Sequence, residues 1–153
     1  MSKEELLQIA DLARENPNIN ILSDEIYEII LKKEFKHYSL SSLANDLKDR
    51  IFIVNGFAKG WAMTGWRIGY LVGPKDVIKA SSALQSQSTS NVCSFVQKGA
   101  LEALKINVEF FSMINSHYDQ RRSLLYESLR NINGIYIEAV SYTHLTLPTI
   151  LIV

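Results

Sequence analysis

The stretch Ile51-Phe52-Ile53-Val54-Asn55-Gly56 decides the fold class of this chain. Four consecutive apolar residues of strand length are typical of a strand that is covered on both faces. Asn55-Gly56 is a turn signal that ends this strand, and a loop rich in glycine and tryptophan then runs to Arg67. Shorter strand-like runs lie on either side, at residues 19–22 and 68–72. The sequence therefore predicts three strands in its first half.

Helical patterns alternate with these strands. Ser2 and Glu5 have the spacing of a capping box, which predicts a first helix that Asn16-Pro17-Asn18 stops. The other helical patterns and a last strand lie, in chain order, at residues 40–47, 74–84, 95–104, 108–132 and 135–137. We expect the polar stretch at residues 85–91 to interrupt the third helix. Strands that alternate with helices indicate an α/β layer structure.

The composition excludes several classes of protein. The chain has 153 residues, of which 47% are hydrophobic, so it is neither a disordered tail nor a collagen-like repeat. Its 16 basic and 16 acidic residues cancel, which argues against a nucleic-acid or membrane partner. Cys93 is the single cysteine, so no internal disulfide can form. Without an apolar run of membrane-spanning length or a signal-peptide pattern, we expect a soluble, cytoplasmic protein.

Four residues with useful chemistry follow the predicted strands. Asp24 and Tyr27 come after the first strand, Lys59 follows the second, and Arg67 lies eight residues further on. Ligands of open α/β sheets bind beyond the carboxyl ends of the strands, so we expect Asp24 and Lys59 to point into one crevice. An acid, a phenol, an amine and a guanidinium together suit an anionic aromatic cofactor that carries an aldehyde. His37 and His117 lack metal-ligand spacing, so we expect surface roles for both and no metal site.

Two segments resemble a known family. Residues 55–70, Asn-Gly-Phe-Ala-Lys-Gly-Trp-Ala-Met-Thr-Gly-Trp-Arg-Ile-Gly-Tyr, resemble the lysine segment of the class I/II aminotransferases, which are pyridoxal-phosphate (PLP) enzymes of fold type I. Residues 23–27, Ser-Asp-Glu-Ile-Tyr, resemble the aspartate–tyrosine segment of the same family. The stretch at residues 85–91, Gln-Ser-Gln-Ser-Thr-Ser-Asn, is similar to one found in bacterial aspartate aminotransferases. The resemblance covers roughly residues 2–139.

The resemblance implies a role for each of the four residues. Lys59 would form the aldimine with pyridoxal 5'-phosphate and then carry the proton between substrate and cofactor, which makes it the catalytic residue. Asp24 would pair with the pyridine nitrogen, and Tyr27 would donate a hydrogen bond to the ring oxygen. Arg67 would bind the phosphate. The sequence departs from the family pattern at two positions that carry phosphate-side hydroxyls in relatives, where it has Ala58 and Gly56.

The resemblance also implies an organisation of the chain. Residues 1–105 would be the second half of the PLP-binding large domain, a partial three-layer α/β structure around a mostly parallel sheet. Residues 106–139 would be a long connecting helix and the start of the small domain. Family members are much longer, so we expect this chain to be a fragment that is inactive alone. The complete protein would be a homodimer that moves an amino group between an amino acid, most simply aspartate, and a 2-oxo acid.

Alternatives remain open at this point. Another fold-type-I PLP reaction, such as β-elimination, would use the same four residues, and a non-catalytic α/β fragment would use none. The segment at residues 140–153 resembles the translated reading frame of a sequencing-library adapter, so we predict that it is not native. The alternative is a native strand rich in threonine and leucine.

Overall fold

A three-stranded mixed sheet forms the centre of the computed structural model, which describes residues 1–135. Strand β1 (Ile21–Asp24) pairs in parallel with β2 (Ile51–Gly56), and β2 pairs antiparallel with β3 (Gly69–Val72). All three predicted strands are present, and the α/β class is confirmed. Among the described strands, the β2–β3 pairing is antiparallel because the loop after β2 reverses the chain and places β3 directly beside β2.

Residues 1–135 also form five α-helices. They are, in chain order, α1 (Lys3–Glu15), α2 (Leu40–Leu43), α3 (Lys75–Ser88), α4 (Ser94–Ala103) and α5 (Val108–Leu129). Short 3-10 turns lie at Asn45–Leu47 and Thr64–Trp66. The predicted capping box is confirmed, because the Glu5 N–H donates to Ser2 Oγ at 3.1 Å and the Ser2 N–H donates to Glu5 Oε2 at 2.7 Å.

The predicted helix boundaries need three corrections. The helix predicted at residues 40–47 is α-helical only to Leu43, and a 3-10 turn follows at Asn45–Leu47. Helix α3 continues to Ser88, so the polar stretch does not end it at residue 84. Its serine hydroxyls donate back to carbonyls of the preceding turn, Ser86 to Ala83 at 2.7 Å, and the helix accommodates them on an exposed face. Helix α5 ends at Leu129 rather than at residue 132. Residues 136–137 of the predicted last strand and the segment 140–153 lie outside the described residues.

Two apolar clusters hold the elements together. The first packs α1 and α2 against β2 and consists of Ala10, Ala13, Leu40, Ala44, Leu47 and Ile51. Alanines at the contact let α1 approach closely, and burial of a side chain such as Leu40 contributes about 1.5–3 kcal/mol. The second cluster packs the loop after β2 against α4 and consists of Phe57, Met63, Ala100 and Ala103, with Trp61 and Ile68 beside them.

Helix α5 contacts the rest of the chain through its first half. The Phe111 ring lies edge-on to Trp61, with centroids 5.6 Å apart, and Asn115 Nδ2 donates to the Ile29 carbonyl at 2.9 Å. Leu124 and Leu125, further along the helix, are exposed. No helix in residues 1–135 combines the length and the apolar character that a membrane crossing requires.

Candidate active site

Lys59 lies three residues beyond the end of β2, on a loop that returns to β3. Its side chain is half-buried, and Nζ lies 5.7 Å from the centre of the Tyr27 ring. At this distance the ammonium is within reach of the negative face of the ring. The structure therefore brings together two of the four residues that the sequence singled out.

The lysine loop is fixed by several contacts of its own. The Thr64 hydroxyl donates to the Ala58 carbonyl at 3.1 Å, and the Phe57 N–H donates to the Ile68 carbonyl at 3.3 Å. Gly60 packs so closely on Ile29 that a Cβ at this position would lie 2.9 Å from Ile29 Cδ1. The loop therefore lies directly against the segment that carries Tyr27.

Asp24 is the last residue of β1 and lies on the carboxyl edge of the parallel pair. Its partner across the ladder is Val54, and Asp24 Oδ1 accepts from the Ile26 N–H at 3.2 Å. The carboxylate is exposed. Within the described residues, Asp24 makes no ion pair or hydrogen bond with Lys59, so the two share an edge of the sheet rather than a direct contact.

Arg67 occupies a strained backbone position. Its φ of 53° is left-handed, and its Nη1 donates to the Thr64 carbonyl at 3.1 Å. A non-glycine residue in this conformation costs about 1–3 kcal/mol, and such residues cluster at functional sites. Arg67 is exposed and lies two residues before the start of β3.

Both histidines lie in defined environments. His37, which was predicted at the surface, is half-buried, and its Nε2 lies 3.1 Å from Glu25 Oε2. The prediction was wrong because Glu25 is only 6% exposed, and a buried carboxylate requires partners. His117 is exposed, as expected, but it also lines a cleft of about 240 Å³ together with Lys59, Tyr118 and Arg121.

Glu25 and Glu28, on either side of Tyr27 in the sequence, make side-chain hydrogen bonds that the sequence did not predict. Glu25 Oε1 accepts from Ser39 Oγ at 2.9 Å, and Glu28 Oε1 accepts from Asn55 Nδ2 at 2.8 Å. The signal that could have revealed them is the pair of glutamates that flanks Ile26-Tyr27 in the sequence. Atoms of Glu25, Glu28 and His37 that could ligate a metal ion lie within 4.8 Å of one another. Both carboxylates are already hydrogen-bonded to side chains of this protein.

These carboxylates also influence a neighbouring phenol. Burial raises the pKa of Tyr70, and the negative charges of Glu28 and Glu25 raise this pKa further. Tyr70 therefore remains a neutral phenol at physiological pH, on the strand that follows Arg67.

Gly56 is required by the close approach of β2 and β3. Gly56 faces Gly69 across the antiparallel ladder, and a Cβ on Gly56 would lie 2.8 Å from both Gly69 Cα and the Ile68 carbonyl oxygen. This contact explains why a hydroxyl-bearing side chain is not accommodated at position 56 in this chain.

We expect Gly56→Ala to destabilise the protein by about 1–3 kcal/mol, because backbone atoms cannot move aside as a flexible side chain can. Chemical denaturation would measure the loss. Gly65→Ala is the matched control, since no atom lies within 4 Å of the added Cβ. Equal stability of the two variants would contradict the close approach.

The comparisons with known proteins agree with these features. The family model for aminotransferase class I and II matches residues 1–146. A probable aspartate/prephenate aminotransferase of Rickettsia typhi is 47% identical over 135 residues, and the match covers 88% of this chain and 33% of that protein. An aspartate aminotransferase of Pinus pinaster is 41% identical, with 87% and 27% covered.

Solved structures give the same result. The aspartate aminotransferase of Rhizobium meliloti superposes with a TM-score of 0.84 at 34% identity, covering 88% of this chain and 34% of that one. The aspartate aminotransferase of Thermus thermophilus solved with maleate has a TM-score of 0.73 at 41% identity, covering 84% and 33%. The chain thus spans about a third of the length of the relatives it matches. It belongs to the class I and II aminotransferase family.

Proposed function

We propose that this chain is part of a PLP-dependent aminotransferase in which Lys59 attaches the cofactor and moves the proton. The observation that carries the proposal is the half-buried Lys59 amine, 5.7 Å from the centre of the Tyr27 ring. The loop bearing Lys59 leaves the sheet at the edge where Asp24 ends β1. The amine, the phenol and the Asp24 carboxylate thus lie at the same edge of the sheet, in a chain that belongs to the class I and II aminotransferase family.

The functional groups at this edge fit pyridoxal 5'-phosphate. The lysine amine suits the aldehyde, and the exposed Asp24 carboxylate suits a protonated ring nitrogen. The Tyr27 phenol suits the ring oxygen, and the planar guanidinium of Arg67 suits two phosphate oxygens at once. The bound cofactor supplies an electron sink for the substrate carbanion.

Lys59, Asp24 and Arg67 have separate roles in the proposed reaction. Lys59 acts as nucleophile and afterwards as the base that takes and returns the proton of the substrate Cα. Asp24 would keep the ring nitrogen of the bound cofactor protonated through its negative charge. Because Ala58 and Gly56 carry no hydroxyl, Arg67 and backbone N–H groups would supply the phosphate contacts.

The substrate we propose is aspartate, with a 2-oxo acid as the amino-group acceptor. Relatives named as aspartate aminotransferases support this choice, including the Thermus thermophilus enzyme solved with maleate. The complete protein would be a cytoplasmic homodimer, in which residues 1–105 belong to the large domain and residues 106–139 lead into the small one. The chain would be inactive alone, since it spans about a third of the length of the relatives it matches.

The test is an assay of the full-length protein with aspartate and 2-oxoglutarate. We expect oxaloacetate and glutamate in equal amounts, since one amino group moves per turnover. Release of ammonia without glutamate would contradict amino transfer and favour the alternative elimination chemistry. Absence of both products, together with no cofactor binding, would favour the non-catalytic alternative.

A further inference from the structure

We propose that Glu28 is a positioning residue that acts through Asn55 to hold the Tyr27 ring against the Lys59 amine. The inference rests on the proposed function, because its purpose is to align Tyr27 with the cofactor that Lys59 attaches. It extends that function to two residues, Glu28 and Asn55, that lie outside the group contacting the cofactor.

Tyr27 lies on a short segment without regular secondary structure. The segment consists of two successive turns, closed by the Glu28 N–H donating to the Glu25 carbonyl and by the Ile30 N–H donating to the Tyr27 carbonyl, both at 2.9 Å. The backbone of this segment sets the point and the direction from which the Tyr27 side chain departs. The contacts that hold the two ends of the segment therefore help to place the Tyr27 ring, together with the interactions that Tyr27 makes itself.

The first end is held by Glu25. Its backbone N–H donates to the Val54 carbonyl at 2.9 Å and so extends the parallel ladder by one residue. Its buried carboxylate meets His37 Nε2 at 3.1 Å and Ser39 Oγ at 2.9 Å. These contacts tie this end of the segment to β2 and to the chain before α2.

The second end is held by Glu28 through Asn55. Asn55 is 4% exposed and uses both sides of its amide, since Nδ2 donates to Glu28 Oε1 at 2.8 Å and Oδ1 accepts from the Gly56 N–H at 2.7 Å. Gly56 is the last residue of β2, three residues before Lys59. One side chain thus joins the turn beyond Tyr27 to the strand end from which the lysine loop departs.

A buried amide N–H that loses its acceptor costs free energy. Loss of Glu28 is therefore expected to disrupt the whole link between Glu28, Asn55 and Gly56. Glu28→Ala would leave Asn55 Nδ2 without its partner and free the second end of the segment. Glu28→Gln keeps an oxygen that can accept the same hydrogen bond but removes the charge. The pair of variants therefore separates the hydrogen bond from the electrostatic effect of the carboxylate.

The experiment measures the visible absorption of pyridoxal 5'-phosphate bound to the full-length protein as a function of pH. We expect Tyr27→Phe to move the pH midpoint of this band by about one unit or more, the effect of one hydrogen bond to a charged oxygen. Glu28→Ala is expected to move the midpoint in the same direction and to weaken cofactor affinity about five- to tenfold. Glu28→Gln is expected to behave as wild type in both measurements.

A double variant decides whether Glu28 acts through Tyr27. If it does, Tyr27→Phe/Glu28→Ala shifts the midpoint no further than Tyr27→Phe alone. Additive shifts, or a lowered melting temperature with an unmoved midpoint in Glu28→Ala, would overturn the proposal and leave Glu28 a purely structural residue. Glu102→Ala, which removes an exposed carboxylate paired with Lys105, is the control and should change neither measurement.

The same data distinguish this inference from the proposed function. If the wild-type protein binds the cofactor without a band that depends on Lys59, the proposed function fails and the positioning role fails with it. If wild type shows the band and Glu28→Ala leaves its midpoint and affinity unchanged, the positioning role alone is wrong.

Discussion

Lys59→Ala in the full-length protein is expected to abolish the visible absorption of attached pyridoxal 5'-phosphate and to lower the rate of amino transfer by about 10⁴-fold or more. The variant removes both the nucleophile that attaches the cofactor and the base that moves the substrate proton. A positioned proton-transfer group alone contributes about 10²- to 10⁴-fold, so the combined loss lies at or above the upper end of this range. Absorption spectra and a coupled assay for oxaloacetate would measure the two effects.

Two further variants make this result specific to Lys59. Lys59→Arg keeps the positive charge beside the Tyr27 ring but cannot act as a nucleophile, so it is expected to fail as completely as alanine. Lys98→Ala removes an exposed lysine on α4 and is expected to retain full activity. Borohydride reduction followed by peptide mass spectrometry should place the pyridoxyl label on Lys59 in wild type. A label on another lysine, with activity intact in Lys59→Ala, would contradict the assignment.

The sequence predicted those parts of the fold that depend on local pattern. The apolar run of β2 and the capping box at Ser2 each depend on a few neighbouring residues, and both are present in the structure. The first strand is present too, but β1 spans Ile21–Asp24 rather than the predicted residues 19–22. The rule that ligand-binding residues gather at the carboxyl edge of parallel strands predicted Asp24 and Lys59 in one crevice, and both residues lie at this edge without a direct contact. The approach of Lys59 to the Tyr27 ring was not predicted. The roles of Lys59, Asp24, Tyr27 and Arg67 toward a cofactor stay predictions.

Interactions between distant residues were not predictable in the same way. Glu25 meets His37 across 12 residues, and Glu28 meets Asn55 across 27. Each pair forms because the chain after β1 folds back onto β2. The residue types alone do not predict which distant side chain each glutamate will contact. The left-handed backbone of Arg67 was equally hidden, since arginine has no preference for positive φ. Sequence patterns therefore located the reactive groups, while the structure was needed to show what holds them in place.

Asp24→Ala is expected to lower the rate of amino transfer about 100- to 1,000-fold, the usual effect of removing one charged group that stabilises a transition state. A carboxylate beside a pyridine nitrogen raises the pKa of that nitrogen, so without Asp24 the ring would lose its proton at neutral pH and accept electrons poorly. Cofactor attachment to Lys59 should persist, because the aldehyde end of the ring is unaffected. Steady-state kinetics together with the visible spectrum would separate the two properties.

Asp24→Asn makes the test sharper. Asparagine keeps an oxygen that can accept the hydrogen bond from the Ile26 N–H, so the end of β1 should retain its geometry while the negative charge is lost. We therefore expect Asp24→Asn to melt at the wild-type temperature yet to lose nearly as much activity as Asp24→Ala. Asp49→Ala, which removes an exposed carboxylate before β2, should leave the rate unchanged. Wild-type activity in Asp24→Asn would show that the carboxylate only shapes the strand end, and the cofactor would then have to be held in its protonated form by another group.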